Sequence, residues 1–376
     1  MERKLRYTNE TIKQIMDADR IVIYGAGTMG RAVRKCISEE PYMLKPECFI
    51  VRSMDDNDKV VDGLPVVKLA DALDHRSSLV LVALNGKLMP GAVTGLKAEG
   101  FERILPVSFD GDIWTEIRSN WIIANDVLPG DVKRVDDIEP MGRRSGVKLC
   151  KLNIYVAHSI YDADLPIKPE LKDYESPIHV GAALADKKLF EITDADGADN
   201  ISEKNRQYCE TTGIYLAWKN DTADYVGFSH YRRRFCLDEK ALDVILSGNV
   251  DVVVTEPILN FASVKAQYGK DHIIDDWLVL MDAISKVAPE YLESAKQVEQ
   301  GIYYYAYNMF IMKHDIFDSY CRFMFPVLEY CVKRIGKRED IYQNRYAGFL
   351  AERLLTIFLN ENRQYTVAIA DKKFIE

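Results

Sequence analysis

The densest chemistry in the sequence lies in DYVGFSHYRRRF, residues 224–235, where a short apolar run ends in His230, Tyr231, Arg232, Arg233 and Arg234. Arginine keeps its charge and grips phosphate oxygens with two parallel N–H groups, so this cluster at a strand end suits a diphosphate. In an extended stretch Arg232 and Arg234 share one side and Arg233 takes the other, so all three do not easily reach one ligand. The plainer reading pairs these arginines with surface acids. His158 and Ser159 close a second apolar run, KLNIYVAHS (151–159). Ligands in α/β folds bind beyond the carboxyl ends of the strands, which makes both residues candidates for base or ribose contacts.

Carboxylates gather in EITDADGADN, where Asp194, Asp196, Asp199 and Asn200 surround a glycine turn, ahead of a helix that Ser202 would cap. They suit a metal ion or sugar hydroxyls, or they only solvate the loop. Further on, DHIIDDWLVLMDAI carries Asp271, His272, Asp275 and Asp276. Asn308 interrupts the strand-like aromatic run YYYAYNMFIM. A buried amide needs a partner, and a sugar hydroxyl is one. In YAGFLAERLLTIFLN, helical spacing lines up Tyr346, Phe349, Leu350, Leu354 and Ile357, with Arg353 inside the stripe and Glu352 at its edge. An unpaired charge there is costly, so the two form either a structural ion pair or the floor of an active site. In IVIYGAGTMGRAVRKCI, Gly25, Gly27 and Gly30 complete a GxGxxG between a strand and a helix. Backbone amides and the helix dipole hold phosphate in that context.

These groups need a frame. Apolar runs at 21–24, 48–51, 64–67, 79–84 and 103–107 alternate with helical stretches near 68–74 and 90–99. That alternation predicts an α/β architecture with a Rossmann-like parallel sheet in a first domain, residues 1–110. Residues 111–148 collect turn-formers and charges and read as a linker with one short helix around 112–119. A second α/β domain then runs over 149–376. In the first domain Arg52 and Ser53 stand where a dinucleotide site would place its acidic ribose partner, so NAD is not the favoured cofactor.

Composition narrows the classes further. The 376 residues are 48% hydrophobic and 28% charged with a net charge of −9, which suits a folded protein and excludes a broad nucleic-acid footprint. The seven cysteines form no CxxC pair and no zinc-like grouping, as expected of reduced, buried thiols. The charged amphipathic start lacks a signal-peptide core and no apolar run approaches a membrane span, so the expectation is a cytoplasmic protein, with peripheral contact at the inner membrane face left open.

Several long motifs, in order, resemble one family. NISEKNxxYCExTxxYxAWKN, DYVGFxHYRR, YNMFIMKHDIFDSYC and GFLAERLLTIFL, spanning roughly 152–362, are similar to the DUF4422 family of bacterial glycosyltransferase-type proteins. The first domain, with GAGxxG followed by Gly63-Leu64-Pro65-Val66, resembles the N-terminal domain of bacterial sugar O-acyltransferases. The first resemblance implies a GT-A-like α/β domain that moves a sugar, galactose in type, from a UDP-sugar to a glycan or lipid-linked glycan acceptor in capsular or exopolysaccharide biosynthesis. On the hypothesis of glycosyl transfer, the residues themselves suggest His158 near the nucleotide, and His230, Arg232 and Arg233 near the diphosphate. Asp199, Asn200, Lys204 and Asn205 would border the donor pocket, Asn308, Glu352 and Arg353 would face the sugars, and, if the reaction inverts the anomeric centre, Asp276 or Glu352 would serve as base; the sequence leaves inversion or retention open. Where such enzymes often carry a DxD, this sequence has Ser229-His230-Tyr231-Arg232-Arg233, whose arginines could neutralise leaving-group charge in place of a metal. Asp194-Ala195-Asp196 does read DxD, so Mn2+ or Mg2+ stays open. The rival readings are an NAD-dependent sugar oxidoreductase or epimerase resting on Gly25, Gly27 and Gly30, and a non-catalytic scaffold that binds sugar nucleotides.

Overall fold

Runs of Val, Ile and Leu flanked by glycine and charge form short strands buried on both faces, which is the pattern of parallel sheets covered by helices. The computed structural model describes residue 5 and residues 10–55, 57–129, 132–140, 150–167 and 169–375. The chain divides into two units, Met1–Gly130 and Asp131–Glu376.

The first unit carries β1 (Ile21–Tyr24), β2 (Phe49–Val51), β3 (Val60–Val61), β4 (Leu64–Lys68), β5 (Leu79–Val82) and β6 (Ile104–Pro106). They lie in the order β3-β4-β2-β1-β5-β6, parallel except for β3. Val22, Ile50, Val80 and Leu96 belong to its core. The expected helix at 68–74 is instead a pair of 3-10 turns, Leu69–Asp71 and Leu73–His75. Residues 111–148 do not behave as one linker. Asp112–Ala124 is a helix of the first unit: Trp114, Ile117 and Trp121 form its buried stripe, and Trp121 Nε1 donates to Glu39 at 2.9 Å. The short helix expected around 112–119 is therefore present and runs on to Ala124. Within the same stretch, Lys133–Arg134 already belongs to the second sheet, while 141–148 lie outside the described residues.

The second unit is built on β7 (Lys133–Arg134), β8 (Leu152–His158), β9 (Glu175–His179), β10 (Tyr225–His230), β11 (Arg233–Cys236), β12 (Val252–Thr255), β15 (Phe310–Lys313) and β16 (Val367–Phe374), with β13 (Ile258–Leu259) and β14 (Tyr303–Tyr304) paired apart. The order is β11-β16-β12-β15-β10-β8-β9, with β7 on β16. β8, β9 and β10 are mutually parallel, whereas β15 runs against both β10 and β12. This reversal brings the start of β15 to the carboxyl end of β10, with Phe228 opposite Phe310. β9 was not expected, because Pro177 weakens its strand pattern; it forms the sheet edge, where proline is tolerated.

Two local departures shape the site. The run His230-Tyr231-Arg232-Arg233 is a tight hairpin, with His230 paired to Arg233 and the other two in the turn, so the arginines do not alternate along one strand. Likewise YYYAYNMFIM is not one strand. Tyr307 and Asn308 take φ values of +70° and +50° and split it into β14 and β15.

Candidate functional site

Strand polarity sets the place. His158, His179 and His230 close β8, β9 and β10 at one edge of the second sheet, and the Tyr307-Asn308 turn enters the same edge ahead of β15. Ser229 Oγ, Thr255 Oγ1, His179 Nε2 and Asn308 Oδ1 are buried there without a hydrogen-bond partner. Native interiors seldom tolerate such atoms, so several along one edge mark a polar site.

Backbone strain points to the same edge. Among the described residues of the second unit, the non-glycine positions with positive φ are Cys209, Tyr307 and Asn308. Each costs about 1–3 kcal/mol and persists only where the surroundings enforce it. Here they meet around two carboxylates. Glu352 Oε1 accepts from the Tyr307 amide at 3.2 Å, and Glu210 Oε1 accepts from Asn308 Nδ2 at 2.7 Å. Asn205 Nδ2 holds the Cys209 carbonyl at 2.8 Å, and Gly348 brings the helix Tyr346–Glu361 so close that a Cβ would lie 3.1 Å from Cys209 Sγ.

Glu352 is the distinctive group. Its side chain is 19% exposed, so a small ligand can reach it. Burial pushes its carboxyl above the ordinary range; the Arg353 guanidinium pulls it down and Glu210 pushes it up. Arg353 is 1% exposed and donates to Glu352 at 2.6 Å, to the Phe349 carbonyl at 2.8 Å and to Gln267 at 2.8 Å. Its guanidinium also lies 4.3 Å from the Tyr304 ring centre. It is both ion-pair partner and floor.

Histidines and arginines gather around this turn. His230 bonds through Nε2 to the Tyr307 carbonyl, and Arg233 lies 4.5 Å from the Tyr307 ring. Arg232 rests against Tyr231 and Phe374. Arg345, exposed at the helix start, donates to Cys209 Sγ at 3.2 Å. His158 packs against Phe190 at 4.7 Å and Tyr231 at 5.9 Å, with Asp162 3.5 Å from its Nδ1.

The remaining sequence candidates separate from this cluster. Asp276, considered as a base, is 1% exposed and holds Arg338 with both oxygens, so it is a structural ion pair. Asp276→Asn is expected to destabilise the protein by about 3 kcal/mol in urea unfolding, the low end for breaking a buried pair because Arg338 stays partly in solvent. Arg234 is likewise committed to Glu175. Asp194, considered for a metal, accepts from Gly181 N at 2.6 Å, Ala182 N at 3.0 Å, the Ser202 hydroxyl and the Thr212 hydroxyl, which leaves no oxygen lone pair for a cation. Asp196 closes a turn on Thr193. No group of three or more His, Cys, Asp or Glu among the described residues is placed to hold a metal ion.

Asp199 binds Tyr215 at 2.8 Å and Lys219 at 3.4 Å, Asn200 ties its own loop, and Lys204 is exposed, so only Asn205 of that group supports the strained turn. In the first unit, a Cβ on Gly30 would sit 1.8 Å from the Gly25 carbonyl, while Gly27 faces open space. Gly25 and Gly30 are thus needed by the turn itself, and Gly27 alone is free for a ligand's approach. Glu210, Arg345 and His179 escaped the sequence reading. Glu210 stands inside the YCE motif, whereas nothing local marks the other two.

No curated protein matches the chain significantly. A solved structure described as the apo structure of WbbM, a bifunctional glycosyltransferase, is similar at 26% identity and a TM-score of 0.54 over 60% of this chain. The chain spans only 45% of that structure. No helix among the described residues is long and apolar enough to cross a membrane. Residues 154–363 match the model of DUF4422, a domain of unknown function; this is more than half of the sequence, and the chain belongs to that family.

Proposed function

We propose that the second unit transfers a glycosyl group from a nucleoside-diphosphate sugar, UDP-linked and galactose in type, to a hydroxyl of a glycan or lipid-linked glycan in surface-polysaccharide synthesis. The observation that carries this reading is Glu352: a reachable carboxyl held above its ordinary range, beside strained backbone and a rim of guanidinium groups. Such a carboxylate suits a general base at neutral pH. It takes the acceptor's hydroxyl proton as that oxygen bonds to the anomeric carbon, while the bond from that carbon to the diphosphate oxygen breaks. Arg232 and Arg233 stabilise the departing charge. Arg353 and Asn308, both buried, fix Glu352 and Glu210 in place, and His158 with Tyr231 flanks the nucleotide. The WbbM likeness supports the same class of reaction. The proposal also reads the parallel first sheet as Rossmann-like, and the second sheet, with its one reversed inner strand β15, as GT-A-like.

A thermal-shift titration tests it. UDP is expected to stabilise the protein by about 2.7 kcal/mol at a hundredfold excess over Kd. In Arg233→Ala the affinity should drop about tenfold or more, the scale of one charge-assisted contact. A shift produced by NAD and not by UDP overturns the reading.

A further inference from the structure

Beside Glu352 stands a group of side chains that the reaction as proposed does not use. Phe349, one helical turn before Glu352, stacks on His272 with ring centres 4.0 Å apart and planes at 20°. Tyr342 covers the outside of this stack, 5.8 Å from His272 and 5.2 Å from Phe349. Tyr268 closes it from within at 4.8 Å from His272. Aromatic groups usually stack to leave water. This stack instead keeps an open face: Tyr342 is 49% exposed and the adjoining Ile341 86%.

Its electrostatics are unusual too. Burial, reinforced by the Arg353 charge, lowers the His272 ring to about 4, so the imidazole is neutral at physiological pH. Its Nδ1 has no hydrogen-bond partner. The charges of Asp271, Arg345 and Arg353 all act on both His272 and Tyr342, and the Arg345 guanidinium lies 5.5 Å from the Phe349 ring centre. A neutral aromatic surface bordered by a carboxylate and guanidinium groups offers both acceptors and donors to the hydroxyls of a sugar. The electron-rich face of an aromatic ring also attracts the slightly positive C–H bonds on one side of a sugar ring.

We infer that the Tyr342–His272–Phe349 stack is the acceptor subsite, and that it takes a pyranose ring laid by its C–H face on Tyr342 with a hydroxyl toward Glu352. This assignment rests on reading Glu352 as the reacting carboxylate. It separates the two substrates by chemistry. The diphosphate goes to the arginines of the β10–β11 hairpin, and the uncharged acceptor sugar goes to the stack formed by the helix Tyr346–Glu361 and the segments at 268–272 and 342.

Saturation-transfer NMR on the full chain, with methyl pyranosides of galactose, glucose and mannose as probes, tests the inference. The wild type is expected to saturate protons on one ring face of at least one probe. Tyr342→Ala should weaken that binding about fivefold or more, Tyr342→Phe should retain it, and the UDP thermal shift should be the same in all three proteins. Tyr342 is half exposed, so neither substitution endangers the fold. The inference is overturned by a wild type that saturates no probe, by unchanged binding in Tyr342→Ala, or by loss of the UDP shift in that variant, which would make the stack a nucleotide platform. If UDP gives no shift in the wild type but the pyranoside results hold, the carbohydrate subsite stands and the UDP donor reading falls.

Discussion

Glu352→Gln is expected to slow glycosyl transfer by about a thousandfold, within the range for loss of a general base, while the UDP-induced thermal shift survives. The amide keeps the shape and one oxygen, which can accept from the Tyr307 amide or from Arg353 but not from both, and it cannot take a proton. The pH dependence follows from the direction of the carboxyl's shift. Its folded-state value lies above the ordinary 4.5 of a glutamate, because burial and Glu210 outweigh Arg353. Base catalysis therefore appears only as pH rises past that elevated value, and the acid limb of the rate profile lies above pH 4.5. Stability moves the other way. The folded state holds the Glu352 proton more tightly than the unfolded chain does, so the wild type loses stability as pH rises from the unfolded value through the folded one. The glutamine variant lacks that contribution, and its unfolding free energy should fall less over the same window. Equal activity in the variant and the wild type would remove Glu352 from the chemistry and leave Glu210 as the carboxylate to examine.

What the sequence made legible follows the range of the interactions. Arg353 inside an apolar stripe was conspicuous because one helix displays both the stripe and the charge, and the structure does place that guanidinium in the core against Glu352. Asn308 stood out for the same local reason, as a lone amide among aromatic residues. The left-handed backbone that aims it at Glu210 was invisible, since it arises where β14 ends and β15 must reverse direction against β10. The arginine run misled through geometry: period-two reasoning holds along a strand, but His230 and Arg233 face each other across a two-residue turn. Asp276 misled because its partner, Arg338, lies far along the chain in the segment that follows the helix His314–Ile335. A lone carboxylate on a helix carries no sign of whether a guanidinium will meet it. Long-range pairing of this kind decides which charged residues are left to act on a ligand.

Asp194 makes the same point with the largest effect on stability. Asp194→Ala is expected to destabilise the protein by about 4 kcal/mol, near the upper end for single substitutions, because it strips a buried anion from its donors. Its oxygens bind the amides of Gly181 and Ala182 at the end of β9 and the hydroxyls of Ser202 and Thr212. Thr212 can fall back on the Cys209 carbonyl at 3.0 Å, but the two amides have no such recourse. The carboxylate thus ties the turn after β9 to the helix Thr211–Asn220, which begins just past Cys209 and Glu210. Loss of this tie should loosen the strained turn as well as the fold. Transfer by Asp194→Ala should then fall even well below its unfolding temperature, and Asp194→Asn should recover part of both properties. Added manganese distinguishes this role from metal binding. If Asp194 were a ligand, manganese would stabilise the wild type and lose that effect in the variant; a structural carboxylate predicts the same response to manganese in both proteins, measured by urea unfolding with and without the ion.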